Sequence, residues 1–137
     1  MDKKLILNLV TPQKQLLKDL EVDMVVFPAF EGEMGVLPGH IPVLVQLKEG
    51  SLRYKKDGQE GEFAVIGGFV EVVDNVVNVF AEGADLAEEI DEEAESQKIK
   101  KAKDALSRKD ADIDFELAEL ELKKSIARMK VKRRKHG

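Results

Sequence analysis

Few residues of this 137-residue chain have the types and spacing that chemistry requires. Glu31 and Glu33 stand two apart in a glycine-rich stretch and could pose as an acid–base pair, although solvated loop carboxylates are the plainer reading. His40 is one of two histidines, and the other, His136, lies in the C-terminal tail. A lone imidazole with no neighbouring base or metal partner reads as a structural or contact residue rather than a catalyst. There are no cysteines, so disulfides, thiol catalysis and thiolate-held metals are excluded. No GxxxxGKS/T phosphate loop, HExxH pair or nucleophile elbow occurs, and Gly67–Gly68 lacks the downstream Lys and Ser of a nucleotide cradle. The expectation is a chain with no catalytic residue, no metal and no resident cofactor, working through contacts.

The charges that could make those contacts are sorted by position. Residues 1–87 carry 14 acidic and 8 basic side chains, whereas residues 88–137 carry 13 and 14. Within the second part, six acids crowd into Glu88–Glu95, while Lys123–Gly137 holds eight Lys or Arg and no acid. The basic run includes Arg128, Lys130, Lys132, Arg133, Arg134 and Lys135. A solvated helix end is the bland account of it. Nucleic-acid binding would use such charge on phosphates, but no aromatics interleave and the neighbouring acids repel, so no nucleic-acid partner is expected. Docking on an acidic protein surface is the third account.

Two kinds of element must position these groups. Leu5, Leu7 and Leu9 alternate with Ile6 and Asn8, the period of a half-buried strand. Thr11–Leu20 favours a short edge strand narrowly over a helix, and Val22–Phe27 is apolar enough for a sandwich interior. Asp57–Gly58 and Asp74–Asn75 are turn pairs, flanked by Ser51–Lys55 and Glu62–Ile66 and by Phe69–Val73 and Val76–Phe80. Short strands punctuated this way predict an antiparallel β-sandwich over residues 1–84. From Asp85 onward helix formers dominate, with no proline and no glycine before Gly137. Asp85 and Glu88 suggest a capping box for a first helix, along which Leu86, Ile90 and Ala94 step by four. Asp110 and Asp112 are N-cap candidates for a second helix, whose stripe is Phe115, Ala118, Leu122, Ile126 and Met129, widened by Leu117 and Leu120. The fold class is therefore α+β: an N-terminal antiparallel β-sandwich, then an antiparallel two-helix hairpin over 85–137. Such a hairpin sets the acidic start of one helix beside the basic end of the other, complementing both dipoles. Its narrow, alanine-rich stripes predict light packing on the sandwich.

The stretch EGEMGVLPGHIPVLVQLKEG, Glu31 to Gly50, has the composition of a shaped loop on this scaffold. Gly35 and Gly39 are candidates for backbone angles closed to other residues, Pro38 fixes φ, and Pro42 should stand at or before the next strand. Together with TPQKQLL, GGFVEVVDNVVNVFAEGAD and DIDFELAELELKKSIARM, in that order and spacing, this loop resembles the epsilon subunit of bacterial F-type ATP synthase.

The resemblance implies a non-catalytic rotor subunit of the central stalk in a proton- or sodium-translocating synthase. Its partners would be the gamma subunit, the membrane c-ring and, when the hairpin extends, the alpha and beta catalytic subunits. The loop implies c-ring contact candidates Glu31, Gly35 and His40, and the helix end implies inhibitory candidates Arg128, Lys130, Lys132, Arg133 and Arg134. Exposed apolar residues of the sandwich should meet gamma, though the sequence does not say which. Some members bind regulatory ATP through an Ile-Asp-x-x-Arg-Ala motif. Here Ile90 and Asp91 remain, but Ala94 replaces the arginine and Glu95 the alanine, leaving Asp91 and Arg128 as the ATP-binding candidates. Losing a guanidinium and gaining a carboxylate disfavours polyphosphate, so weak or absent ATP binding is expected. No apolar run approaches the roughly twenty residues of a membrane span, and the N-terminal stretch lacks a secretory signal. The implied location is peripheral, on the cytoplasmic face of the bacterial inner membrane, touching lipid only through the c-ring.

Overall fold

The computed structural model describes residues 3–40, 42–108 and 114–136. Eight strands come first: β1 Leu5–Val10, β2 Gln15–Val22, β3 Met24–Ala29, β4 Gly32–Val36, β5 Val43–Gln46, β6 Gly50–Lys56, β7 Gln59–Val73 and β8 Val76–Leu86. A single 3-10 turn, Ala87–Glu89, leads to helices α1 Glu92–Arg108 and α2 Phe115–His136. Hydrogen bonding joins the strands in the order β2-β1-β8-β7-β6-β3-β4, with β5 on the second half of β7. All pairs are antiparallel except β1 with β8, which run parallel, Ile6 beside Val76. The expected antiparallel sandwich followed by two helices is met, with one parallel seam between strands too far apart in sequence for turn chemistry to specify.

The expected alternation in β1 is met: Leu5, Leu7 and Leu9 are fully buried, alongside Phe27, Leu52, Val70 and Val77. Each such side chain contributes about 1.5–3 kcal/mol when removed from water. Both turn pairs form as expected, with positive φ at Asp57, Gly58, Asp74 and Asn75. Thr11–Leu20 supplies β2, an edge strand, while Val22–Phe27 is broken at Asp23 between β2 and β3.

Two expected strands, Glu62–Ile66 and Phe69–Val73, are one strand, β7. Gly67 and Gly68 sit inside it with φ +60° and +108°. Before them Phe63 and Val65 face the main core; after them Val70 and Val72 do. The glycine pair therefore inverts which residues of the strand point inward, without breaking its pairing with β8. At the same point β7 exchanges β6 for β5 as its second neighbour, which turns the sheet over its own core.

The helices begin later than expected. Asp85 is no helix cap: it lies in β8 opposite Ala64, and strand pairing runs to Leu86, past the expected 84/85 boundary. Asp91 caps α1 instead, accepting from the Glu93 and Ala94 N–H groups at 3.0 and 3.2 Å. Asp110 and Asp112 lie outside the described residues; Asp114 caps α2, accepting from the Leu117 N–H at 3.1 Å. Of the expected stripe of α2 only Met129 is buried, and Ala118, Leu122 and Ile126 are half-buried. Ala127 and Val131, outside that stripe, turn inward, whereas Phe115, Leu117 and Leu120 stay exposed. Ala94 is exposed as well, because α1 starts at Glu92 and turns a different face inward. Among the described residues, Ala64, Ala87, Ile90 and Val131 form the buried apolar cluster between helices and sandwich. Four small or medium side chains make a light attachment, as the stripes predicted.

Candidate functional site

Three surfaces carry the residues singled out by sequence. The first is the β3–β4–β5 region. Phe30 and Glu31 form the β3–β4 turn, which Gly32 completes at φ +141°. Gly35 is ordinary strand, opposite Val26 in β4, so the positive angles fall at Gly32 and Gly39 rather than at Gly35 and Gly39. Gly39, at φ +86°, donates its N–H to Asn75 Oδ1 at 2.7 Å, and the His40 N–H reaches the Leu37 carbonyl at 3.2 Å. Pro42 immediately precedes β5, as expected. The three loop candidates do not form one patch. Glu31 stands at one end of β4, His40 lies past the other, and five strand residues between them span about 17 Å. Each end also exposes a large apolar side chain that sequence reasoning passed over, Phe30 (64%) and Leu37 (59%).

The second surface lies on the outer face of β7, β8 and β5. Phe69 and Phe80 are cross-strand partners with ring centroids 5.3 Å apart, yet both remain substantially exposed, as does Leu44. With Val10, Pro12 and Val45 they line an open depression of about 760 Å³. Alternation contains the signal: in FVEVV, Val70 and Val72 point inward, so Phe69 shares the outward face with Glu71. Exposed aromatics in such a position mark a contact face.

The third surface is the basic end of α2, and it is already occupied within the chain. Arg128 Nε meets Asp85 Oδ2 at 2.7 Å, with Nη1 3.7 Å from the buried Glu95 carboxylate. Lys132 Nζ donates to the Ala87 and Glu88 carbonyls at 3.3 and 3.2 Å. Arg133 pairs with Glu92 at 3.0 Å, and Arg134 with the buried Glu62 at 2.7 Å. Glu62 also accepts from the Ser51 hydroxyl. Lys130 is exposed and has no ion pair among the described residues. The anticipated side-by-side placement of acidic and basic helix ends is realised in the Arg133–Glu92 and Arg128–Glu95 contacts.

Asp91 and Arg128, the nucleotide candidates, are brought to one cleft of about 300 Å³. Both are engaged elsewhere, Asp91 in capping α1 and Arg128 in holding Asp85. Asp85, Glu89, Asp91 and Glu95 face Lys14, Lys98 and Arg128 around the cleft, an acidic balance for a site meant to hold polyphosphate. Among the described residues no three His, Cys, Asp or Glu side chains are placed to hold a metal ion, and no helix is long and apolar enough to cross a membrane.

Residues 4–87 match the family described as ATP synthase, Delta/Epsilon chain, beta-sandwich domain. The chain belongs to the ATP synthase epsilon family. An ATP synthase epsilon chain of Elusimicrobium minutum is 50% identical over 109 residues, covering 80% of this chain and 81% of that one. The epsilon chain of Nitratidesulfovibrio vulgaris strain DP4 is 44% identical over 132 residues, covering 96% and 98%, so epsilon similarity includes the helices. Among solved structures, a chain of the Euglena gracilis mitochondrial ATP synthase, in an assembly of OSCP, F1 and c-ring, superposes with TM-score 0.77. It is 29% identical, with 90% of this chain and 78% of that chain covered. A chain of the Tetrahymena thermophila synthase central stalk and c-ring, at 17% identity and TM-score 0.59, shares the fold. In epsilon-family terms, the sandwich carries the outward aromatic face and the two helices carry the basic end.

Proposed function

We propose that this epsilon-family chain is a non-catalytic rotor subunit that couples the catalytic head to the membrane c-ring of a proton- or sodium-translocating synthase. The observation carrying this reading is the Leu44–Phe69–Phe80 face, an apolar surface too exposed to serve the chain's own core. We assign it to the gamma subunit. The Phe30–Glu31 turn, at the far end of β4 from His40, is assigned to the c-ring. Gly35 shapes β4 between them, and His40 marks the opposite end. The complex would lie at the cytoplasmic face of the bacterial inner membrane, with this chain touching lipid only through the c-ring.

In the same reading, the helices restrain ATP hydrolysis. Arg128, Lys132, Arg133 and Arg134 hold α2 to its own chain through polar contacts. The exposed Arg133–Glu92 pair is worth roughly 0–1 kcal/mol, while Arg128 and Arg134 also reach the buried Glu95 and Glu62 carboxylates. Such contacts can be exchanged for an acidic surface on the alpha and beta subunits, with Lys130 already available. The alternative role, ATP sensing in the hairpin, is not favoured: Asp91 and Arg128 are spent on structure, and Glu95 adds a carboxylate. Submillimolar ATP affinity in a titration of the isolated chain would overturn that judgement.

The test is ATP hydrolysis by the cognate catalytic head with gamma, measured alone, with the full chain, and with a chain cut after Ile90, whose side chain is buried against the sandwich. Binding by both forms and inhibition by the full chain alone is expected. Equal activity with both would remove the inhibitory role, and no binding by either would remove the rotor reading.

A further inference from the structure

We infer that a small, multiply charged anion of the phosphate type binds in the cleft between α2 and the connection from β5 to β6. This cleft, about 380 Å³, lies apart from the one that holds Asp91 and Arg128. Lys123, Lys130 and Arg134 line one side. They follow each other by seven and four residues with Ala127 between, so a single helix face presents three cations. Lys48 brings a fourth from the sandwich, beside Gly50 and Ser51, and Glu49 is the one carboxylate of the lining. Ile126 and Val131 give the cleft an apolar floor.

The state of the four cations points to a ligand. Lys48 and Lys130 have no ion pair or side-chain hydrogen bond among the described residues. Lys123 Nζ stands 3.6 Å from Glu49, a loose contact that leaves donors over. Arg134 engages Glu62 through Nη1, and the rest of its five-donor fork is unspent. Four cations against two carboxylates, Glu49 beside Lys123 and Glu62 beside Arg134, leave a net positive concave wall that raises the local anion concentration. An anion with two or more charges neutralises that excess and accepts from both sides. Because one wall is helix and the other sandwich, it binds only while α2 is docked, and by linkage it favours the docked state. Its consequence for hydrolysis rests on the inhibitory reading above; the binding does not.

The experiment is a pyrophosphate titration of the isotope-labelled full-length chain, followed by amide NMR at constant ionic strength, so neither gamma nor the catalytic head is involved. Saturable shifts are expected at Gly50, Ser51, Ile126 and Lys130, with none from matched sodium chloride. Lys48→Gln with Lys130→Gln should weaken binding at least about tenfold. Lys100→Gln, on the exposed face of α1, should leave it unchanged. Preserved shifts of Leu7 and Phe27 would show that the double variant is folded. Equal affinity in the folded double variant overturns the inference, as do shifts that follow ionic strength without saturating. Saturable shifts centred on Asp91 and Arg128 would overturn it too, by placing the anion in the other cleft.

Discussion

At Gly68 an added Cβ would stand 1.9 Å from the Phe80 carbonyl oxygen, on a backbone with φ +108°. Steric overlap with main chain and an unfavourable dihedral act together, so Gly68→Ala should cost more than about 3 kcal/mol. Urea unfolding checks this, and an unchanged midpoint would refute the account of the strand kink. A second residue-level prediction concerns pH. Lys4 hydrogen-bonds to Asp23, whose other oxygen accepts from the Asp57 N–H at 2.9 Å. The Lys4 hydrogen bond, then the Asp57 amide, hold the Asp23 carboxyl below its usual 3.8, and the Asp23 contact holds Lys4 above its usual 10.5. A depressed carboxyl contributes stability above its unfolded value and loses it as pH falls through the folded one. The raised Lys4 contributes below its unfolded value and loses it as pH rises through the folded one. Asp23→Asn should therefore melt below the parent at pH 7, and the gap should close in acid. A gap that persists at pH 2 would assign the effect to packing.

At the scale of elements, α2 is held by a small apolar cluster and by polar contacts along its C-terminal half. Asp85→Asn with Glu92→Gln removes partners of Arg128 and Arg133 while leaving every base in place. This variant should exchange the amides of α2 faster and inhibit hydrolysis more strongly than the parent, because the released arginines remain able to dock. Unchanged exchange would show that the latch lies elsewhere, and weaker inhibition would contradict the proposed role of the bases. Much of this layer was legible in the sequence: β1 from its alternation, both tight hairpins from Asp-Gly and Asp-Asn, and α2 from its periodicity. The start of α1 was not. Asp85 looks like a cap in the sequence, but pairing with β7 claims it and the cap falls to Asp91. Nor could periodicity reveal the inversion in β7, which depends on two glycine dihedrals, or the division of α2's bases between two clefts, which depends on what packs against the helix.

For the whole molecule, the prediction rests on the outward aromatics. Phe80 is 40% exposed, so Phe80→Ser should lower stability by no more than about 1–2 kcal/mol, well below the 3–5 kcal/mol of a core phenylalanine truncation. It should nevertheless abolish retention on immobilised gamma subunit, with Phe69→Ser behaving alike. Retention by both folded variants would move the docking face elsewhere, to Leu37 or to the exposed start of α2. Sequence told that some apolar residues would remain outside; only the placement of β5 beside β7 showed that Leu44 joins Phe69 and Phe80. The parallel seam between β1 and β8 has a further consequence, for biosynthesis. Ile6 must wait for Val76, and Val10 for Phe80, before the seam can close. Chains emerge from the ribosome at about 5–20 residues per second, so β1 passes several seconds with one edge unpaired. The exposure ends only when β8 emerges, and the helices follow it out. Every newly made hairpin therefore meets a sandwich whose strands have all been delivered, and a pause in translation before Val76 would be the most dangerous moment for aggregation.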